Sequence, residues 1–226
     1  MIELVSIDLE SARLAIADKL LEGIKPASNL KDPAKIEASI AEKRQKASEE
    51  FALHWWTAKV IAISAVSDTH QPQCWYGEDE LKVLTAFGEY LFDNPDISLC
   101  GKSVVDFDIP FLCGRYMAHN LGVPNQLRTI NIDRLRDVDQ IFGFSHSAGQ
   151  RSSLRNYAFG LNIPGKLGQG NDVAGWYAMA ELGDNSQWDN IAKYCIQDSV
   201  IAHEIMCRYR KPFSTKADDS IINPPF

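Results

Sequence analysis

Residues Glu3-Leu4-Val5-Ser6-Ile7-Asp8-Leu9 alternate apolar and polar side chains and then break into Glu10-Ser11, which predicts a strand beginning almost at the first residue. A helix-like segment is expected at about 11–23. Asp32-Pro33 reads as an N-cap followed by proline at the first helical position. Beyond it Ile36, Ile40, Ala47 and Phe51 fall near one face while Glu37, Glu42, Lys43, Arg44, Lys46 and Glu49 fall elsewhere, an amphipathic helix of about five turns. Val60 to Val66 is an apolar run of strand length, and Gln73 to Tyr76 is its expected antiparallel neighbour across the turn chemistry of Ser67-Asp68-Thr69-His70-Gln71-Pro72. Helical spacing returns over Asp79 to Phe92. A short strand follows at 97–100, a helix at 109–121, another strand at 129–133, and helices at about 151–160, 172–182 and 187–209. From Pro212 to Phe226 no periodicity remains, and a tail or arm is expected. Strands come first, then alternating strand and helix, then helices, so the expected class is α/β: one mixed sheet with helices packed on it.

Composition narrows this only a little. A length of 226 residues suits one domain with an inserted segment, and 45% hydrophobic with 23% charged residues is an ordinary globular balance. No run reaches the roughly 20 apolar residues that span a bilayer, and the first residues lack a basic region followed by an apolar one, so neither insertion nor secretion is expected. The five cysteines are odd in number and none are spaced as Cys-x-x-Cys. This argues against a zinc ribbon or a disulfide framework and for a reducing, cytoplasmic setting. The formal charge of −7 is unlike that of a protein gripping long duplex through its phosphates. It suits a chain that gathers carboxylates around cations and touches few nucleotides.

Three constellations carry candidate chemistry. Asp8 and Glu10 lie two apart on a strand and so share a face; adjacent carboxylates in an apolar strand are costly unless a cation neutralises them, and a divalent ion held by oxygen is the cheapest choice. Taken alone, a solvated strand end explains the pair as well. Asp108, in Gly101-Lys102-Ser103-Val104-Val105-Asp106-Phe107-Asp108, opens a helix, where capping and the macrodipole favour a carboxylate; a plain N-cap is the competing reading. Tyr194 and Asp198 are four apart on one helical face.

In this order the three resemble the exonuclease motifs of the DEDD superfamily, tyrosine subtype. They look like the proofreading domain of family B DNA polymerases and like stand-alone exonucleases of phage type, which the segment from Asn29 to Ile63 also resembles. The likeness covers roughly residues 3–209. It implies a ribonuclease H-like mixed β-sheet flanked by α-helices, with an exonuclease domain over 1–210, a helical insertion at about 25–56 and a tail at 211–226. It further implies a metal-dependent 3′–5′ exonuclease acting on single-stranded DNA or RNA. Asp8, Glu10, Asp108 and Asp198 would hold two Mg²⁺ or Mn²⁺ ions about 3.5–4 Å apart, with Tyr194 as a further catalytic residue. Because a phenol titrates near 10, Tyr194 is expected to orient the attacking water rather than to deprotonate it.

Ser103 stands where the polymerase relatives usually carry asparagine, and Ser11 where threonine often follows the glutamate; with Phe107 they are the expected contacts to the terminal nucleotide. The implied partners are a single-stranded 3′ end and, in trans, a polymerase or recombination machine, since no polymerase domain accompanies the motifs within these residues. Trp55 and Trp56 read as packing of the charged helix onto the sheet or as a stacking platform, and Lys43, Arg44 and Lys46 as a solvated face ahead of contacts to phosphates. His203, five residues after Asp198 and off its helical face, is not expected to be a ligand or base. The alternatives are an exoribonuclease trimming short RNA, which the same site would serve, and a catalytically silent binding module. A silenced relative would be expected to have lost one of the four carboxylates, and all four are present. The segment over 30–56 is expected to cover the site and restrict entry to single strands.

Overall fold

The computed structural model describes residues 3–128, 136–142, 152–165 and 170–212. Four strands, β1 (Leu4–Arg13), β2 (Ala58–Val66), β3 (Gln73–Tyr76) and β4 (Ser98–Cys100), form one mixed sheet in the order β3-β2-β1-β4. β1 pairs antiparallel with β2, β2 antiparallel with β3, and β1 parallel with β4. The helices are α1 (Pro33–Glu50), α2 (Glu80–Asp93), α3 (Asp108–Ala118), α4 (Val138–Ile141), α5 (Leu154–Gly160), α6 (Gly170–Glu181) and α7 (Ser186–Arg210). The α/β class expected from the pattern is the one observed. None of the described helices is long and apolar enough to cross a membrane.

The period of two along β1 decides what each face meets. Val5, Ile7 and Leu9 pack with Val83, Leu84, Phe87 and Leu91 of α2 and with Ile109 and Leu112 of α3. The opposite face turns Leu4 toward Ile201 and Ile205 of α7, and Ala12 toward Tyr194 and Cys195 of the same helix. Asp8 and Glu10 belong to this second set by alternation. The β2 side of that interface is tied down by polar contacts: the Ser64 hydroxyl lies 2.8 Å from the Cys195 carbonyl and 2.7 Å from the Ser199 hydroxyl.

Two helix starts are capped by aspartates, the first of them the cap expected from the sequence. The Asp32 carboxylate accepts the Ala34 amide at 3.0 Å with proline at the first turn, and Asp79 accepts the Lys82 amide at 3.3 Å. Two expectations are corrected. The segment after Glu10 stays in the sheet to Arg13, because Ser11, Ala12 and Arg13 pair with Val60, Lys59 and Ala58 across a one-residue register shift; only a 3₁₀ helix at Ala15–Leu21 follows. And α1, although amphipathic in sequence, has no buried residue. Its Lys43 and Arg44 are not simply solvated. They donate to the Lys25 and Leu21 carbonyls at 3.1 and 3.2 Å and so fasten the helix to the preceding segment. The strand expected at 129–133 and the tail beyond 212 lie outside the described residues.

A buried ion pair locks the segment after α1 onto the helical layer. Glu80 accepts from Arg115 Nε and Nη2 at 2.8 and 2.6 Å, from the Val60 amide at 2.6 Å, and lies 2.7 Å from His119 Nε2. Arg115 Nη1 in turn donates to the Trp55 carbonyl at 3.0 Å. Burial pushes the Glu80 carboxyl upward, but Arg115, His119 and the Val60 amide outweigh it and hold the group below its usual range. With the folded value depressed, this stabilisation is present above the unfolded pKa and is lost as pH falls through the folded one. Arg115→Leu strands the carboxylate and should cost about 3–5 kcal/mol in urea denaturation at neutral pH. Adding Glu80→Gln should recover part of that loss, whereas a double variant no more stable than the single one would show that the buried charge is not the cause.

Candidate active site

β1 carries Asp8 and Glu10 toward α7, and α7 presents Asp198 to them: one carboxylate oxygen from each lies within 4.8 Å of the others. Asp198 is buried, and Asp8 and Glu10 are half-buried. Tyr194, one turn before Asp198, is buried with its ring edge-on to Trp176 at 5.9 Å between centroids. The helical face inferred from the four-residue spacing is therefore the face turned to β1. Between them Cys195 Sγ donates to the Asp8 carbonyl at 3.3 Å, so the backbone beneath the carboxylates is tied to α7.

Asp108 arrives from the opposite layer. β4 is only three residues long, and its parallel pairing with β1 ends at Ser6 opposite Cys100. The chain then turns away at Gly101, where a Cβ would sit 2.6 Å from the Ile7 carbonyl, so only glycine lets it pass this close. Among the described residues the edge of β1 beyond Ser6 has no strand to pair with. Leu9 donates its amide instead to the Asp108 carboxylate at 3.0 Å. Asp108 thus stands beside the Asp8–Glu10 backbone, and is not one of the three carboxylates that meet within 4.8 Å.

Burial pushes the Asp108 carboxyl up to about 7; the Leu9 amide and its own amide at the start of α3 oppose this, and the Asp137 charge adds to it. Asp8, Glu10 and Asp198 are all oxygen donors, so the set matches a hard divalent cation such as Mg²⁺ or Mn²⁺. Three carboxylates brought this close repel one another unless a cation or a proton intervenes, which is the observation on which the fit of a metal rests.

The loop before Asp108 is held by residues that pattern reading passed over. Asp137 accepts the amides of Ser103, Val105 and Asp139 at 3.2, 3.1 and 2.9 Å. Asp139 accepts the Ser103 hydroxyl at 2.6 Å and the Tyr157 hydroxyl at 2.9 Å, with Lys102 Nζ at 3.4 Å. Ser103 takes a left-handed φ of 56°, a conformation in which asparagine is the commoner non-glycine residue. The available signal was Asp137-Val138-Asp139, an acidic pair at the cap and first turn of α4, which carries no meaning until the loop is seen to fold over it.

The remaining expected contacts are placed as follows. Phe107 is half-buried and tilted against Phe111 at 5.6 Å. Ser11 donates to the Ala52 carbonyl at 2.5 Å, joining the strand end to the segment after α1. The two tryptophans there divide: Trp55 packs over Gly114, while Trp56 is 56% exposed and stacks on His54 at 4.6 Å. His203 takes no part in this cluster.

The raised value of Asp108 has a definite sign. An acid whose folded pKa lies above its unfolded one weakens the fold as pH rises from the unfolded toward the folded value. In EDTA, Asp108→Asn should therefore raise the melting temperature at pH 8 more than at pH 5, since the amide oxygen can still accept from Leu9. An equal effect at both pH values would mean that ionisation of Asp108 costs the fold nothing.

No protein-family model matches the chain, and no curated protein matches it in sequence. In structure it is similar to the family B DNA polymerase of the hyperthermophilic archaeon Pyrobaculum calidifontis, with a TM-score of 0.57 at 11% identity, over 92% of this chain and 24% of that one. The chain thus spans about a quarter of the polymerase. At this identity the likeness is one of fold alone: a mixed four-stranded sheet flanked by helices.

Proposed function

We propose that the chain is a metal-dependent 3′–5′ exonuclease that hydrolyses single-stranded DNA, or RNA, from its 3′ end to nucleoside monophosphates. One observation carries this reading: the carboxylates of Asp8, Glu10 and Asp198 converge within 4.8 Å on a fold shared with part of a family B DNA polymerase. Asp8, Glu10 and Asp198 are the assigned metal ligands, with Asp108 as the fourth. Two divalent cations bound there would supply Lewis-acid activation of water and of the scissile phosphate.

The protein's own groups do the rest. Tyr194 projects from the same helical face as Asp198 and orients the attacking water through its hydroxyl. Packing against Trp176 keeps that hydroxyl in place, so its entropy is spent before the substrate arrives. Asp137 and Asp139 hold the loop that delivers Asp108 and Phe107. Ser11 and Ser103 already donate within the protein, so each offers the terminal nucleotide only its remaining acceptor capacity. Phe107 supplies an apolar wall, and Trp56, exposed beside the strand end, supplies a stacking surface for an unpaired base.

The segment 30–56 is assigned the part of a cover that admits single strands and refuses duplex. Ser11 joins it to the strand end beside Glu10, and Arg13 Nη1 donates to Ser48 Oγ at 2.9 Å.

With a 5′-labelled single strand and Mg²⁺ or Mn²⁺, the product ladder should shorten from the 3′ end and vanish in EDTA. Asp8→Ala and Asp198→Ala should abolish cleavage while leaving the circular dichroism unchanged; full activity in either would overturn the site. Tyr194→Phe should slow turnover on the order of 10²-fold while metal affinity stays the same. Comparing DNA with RNA of the same sequence identifies the preferred sugar.

Removing residues 30–50 takes away no buried side chain of α1. It should leave single-strand cleavage standing and raise the rate on blunt duplex; an unchanged ratio of the two rates would remove the cover from the account.

A further inference from the structure

A second cluster of metal-binding side chains lies away from the carboxylates. His203 and Cys207 are four apart on α7, and the turn between β2 and β3 lays Asp68 against them. His203 Nε2 is 3.0 Å from Asp68 Oδ1, Cys207 Sγ is 3.4 Å from the same Nε2, and Sγ is 3.8 Å from Asp68 Oδ2. Helix rise puts His203 and Cys207 about 7 and 13 Å beyond Asp198 along α7. Asp68 lies past the end of β2 whose Val66 pairs with Ser6, at the opposite end of the sheet from Glu10. The cluster is therefore separate from the candidate active site.

We propose that Asp68, His203 and Cys207 form a three-ligand site for a borderline divalent cation, Zn²⁺ above all, whose fourth position opens to solvent. The argument is one of shared focus. In a nucleophilic triad the thiol and the carboxylate address opposite nitrogens of the imidazole. Here both address Nε2, and three different donor atoms surround one point. Tetrahedral zinc with bonds of about 2.0–2.3 Å sets neighbouring ligand atoms roughly 3.3–3.8 Å apart; Sγ to Nε2 at 3.4 Å already matches, and Sγ to Asp68 Oδ1 at 3.9 Å lies just outside. The N···O distance, now a hydrogen bond, needs to open by a few tenths of an ångström.

Sulfur, imidazole nitrogen and one carboxylate oxygen select zinc over magnesium, whereas the all-oxygen cluster around Asp8 selects the reverse. His203 is more than nine-tenths buried while the Asp68 side chain is 77% exposed. One ligand is thus anchored in the core and another reaches from solvent, which leaves a path for the ion. His203 Nδ1 has no hydrogen-bond partner among the described residues, and the proton that Nε2 now shares with the Asp68 carboxylate would leave or move to Nδ1 as an ion binds. A bound ion would bridge the β2–β3 turn to α7, two segments 135 residues apart.

The test uses the metal-stripped full chain in excess Mg²⁺, titrated with Co²⁺ as a spectroscopic substitute for zinc. A sulfur-to-cobalt charge-transfer band should grow in, saturate at one equivalent and be bleached by Zn²⁺. It should be absent in Cys207→Ser, and Asp68→Ala, which alters only an exposed turn, should weaken Co²⁺ affinity by more than about 10-fold. Asp8→Ala should keep the band while losing nuclease activity, so this site and the proposed nuclease site succeed or fail separately. No band in the native protein, a band that survives Cys207→Ser, or an affinity unmoved by Asp68→Ala would each overturn the assignment.

Discussion

The hydrogen bond from the Leu9 amide to the Asp108 carboxylate stands where the β1–β4 ladder would otherwise continue. A sheet edge that stops pairing must place its amides somewhere, because an unsatisfied buried donor costs about as much as a lost hydrogen bond. By ending at Cys100, β4 leaves that amide to a side chain from α3. The strand that carries Asp8 and Glu10 is thereby joined to the helix that carries Asp108. Gly101 lets the chain cross over β1 at this point, and Asp137 holds the crossing in shape through three amides. The position of α3 against the sheet, and of the core that Ile109 and Leu112 complete, follows from the same junction.

Around this junction packing and electrostatics pull in opposite directions. The apolar clusters on both faces of β1 bring α3 and α7 close, and the same approach forces carboxylates together and strips water from Asp108. A fold selected for stability alone would place amides or apolar groups there. Local conflict of this kind, in a chain otherwise consistent from helix caps to core, is what the proposed nuclease site would require. Glu80 offers the contrast within the same molecule. It is just as buried, but Arg115, His119 and the Val60 amide answer its charge, and it serves structure.

How much of this was legible in the sequence depends on how local each signal is. The cap at Asp32, the alternation of β1 and the Tyr194–Asp198 spacing each reside within a few residues, and each reads correctly as geometry. The end of β1 does not. Residues 11–13 are strand because β2 pairs with them, and no window around Ser11 contains β2. For α1 the pattern was amphipathic but the apolar face met no core, since lysine and arginine contacts to carbonyls hold the helix instead. The roles of Asp137 and of Asp68 with His203 and Cys207 arise between segments distant in the chain. Side-chain spacing along one element is silent about such meetings.

The absence of any buried residue in α1 also sets how the molecule moves. The free energy that keeps a segment closed scales with the apolar surface it hides, and a helix held by a cap and a few side-chain hydrogen bonds opens at a small fraction of the global cost. Its amides exchange with solvent by local excursions that leave the sheet untouched, while those of β1 and β2 wait for unfolding of the whole. The seam between helix and sheet falls at Arg13, whose guanidinium reaches Ser48 on the helix, whereas Ser11 is held by Ala52 beyond it, next to the buried Phe51.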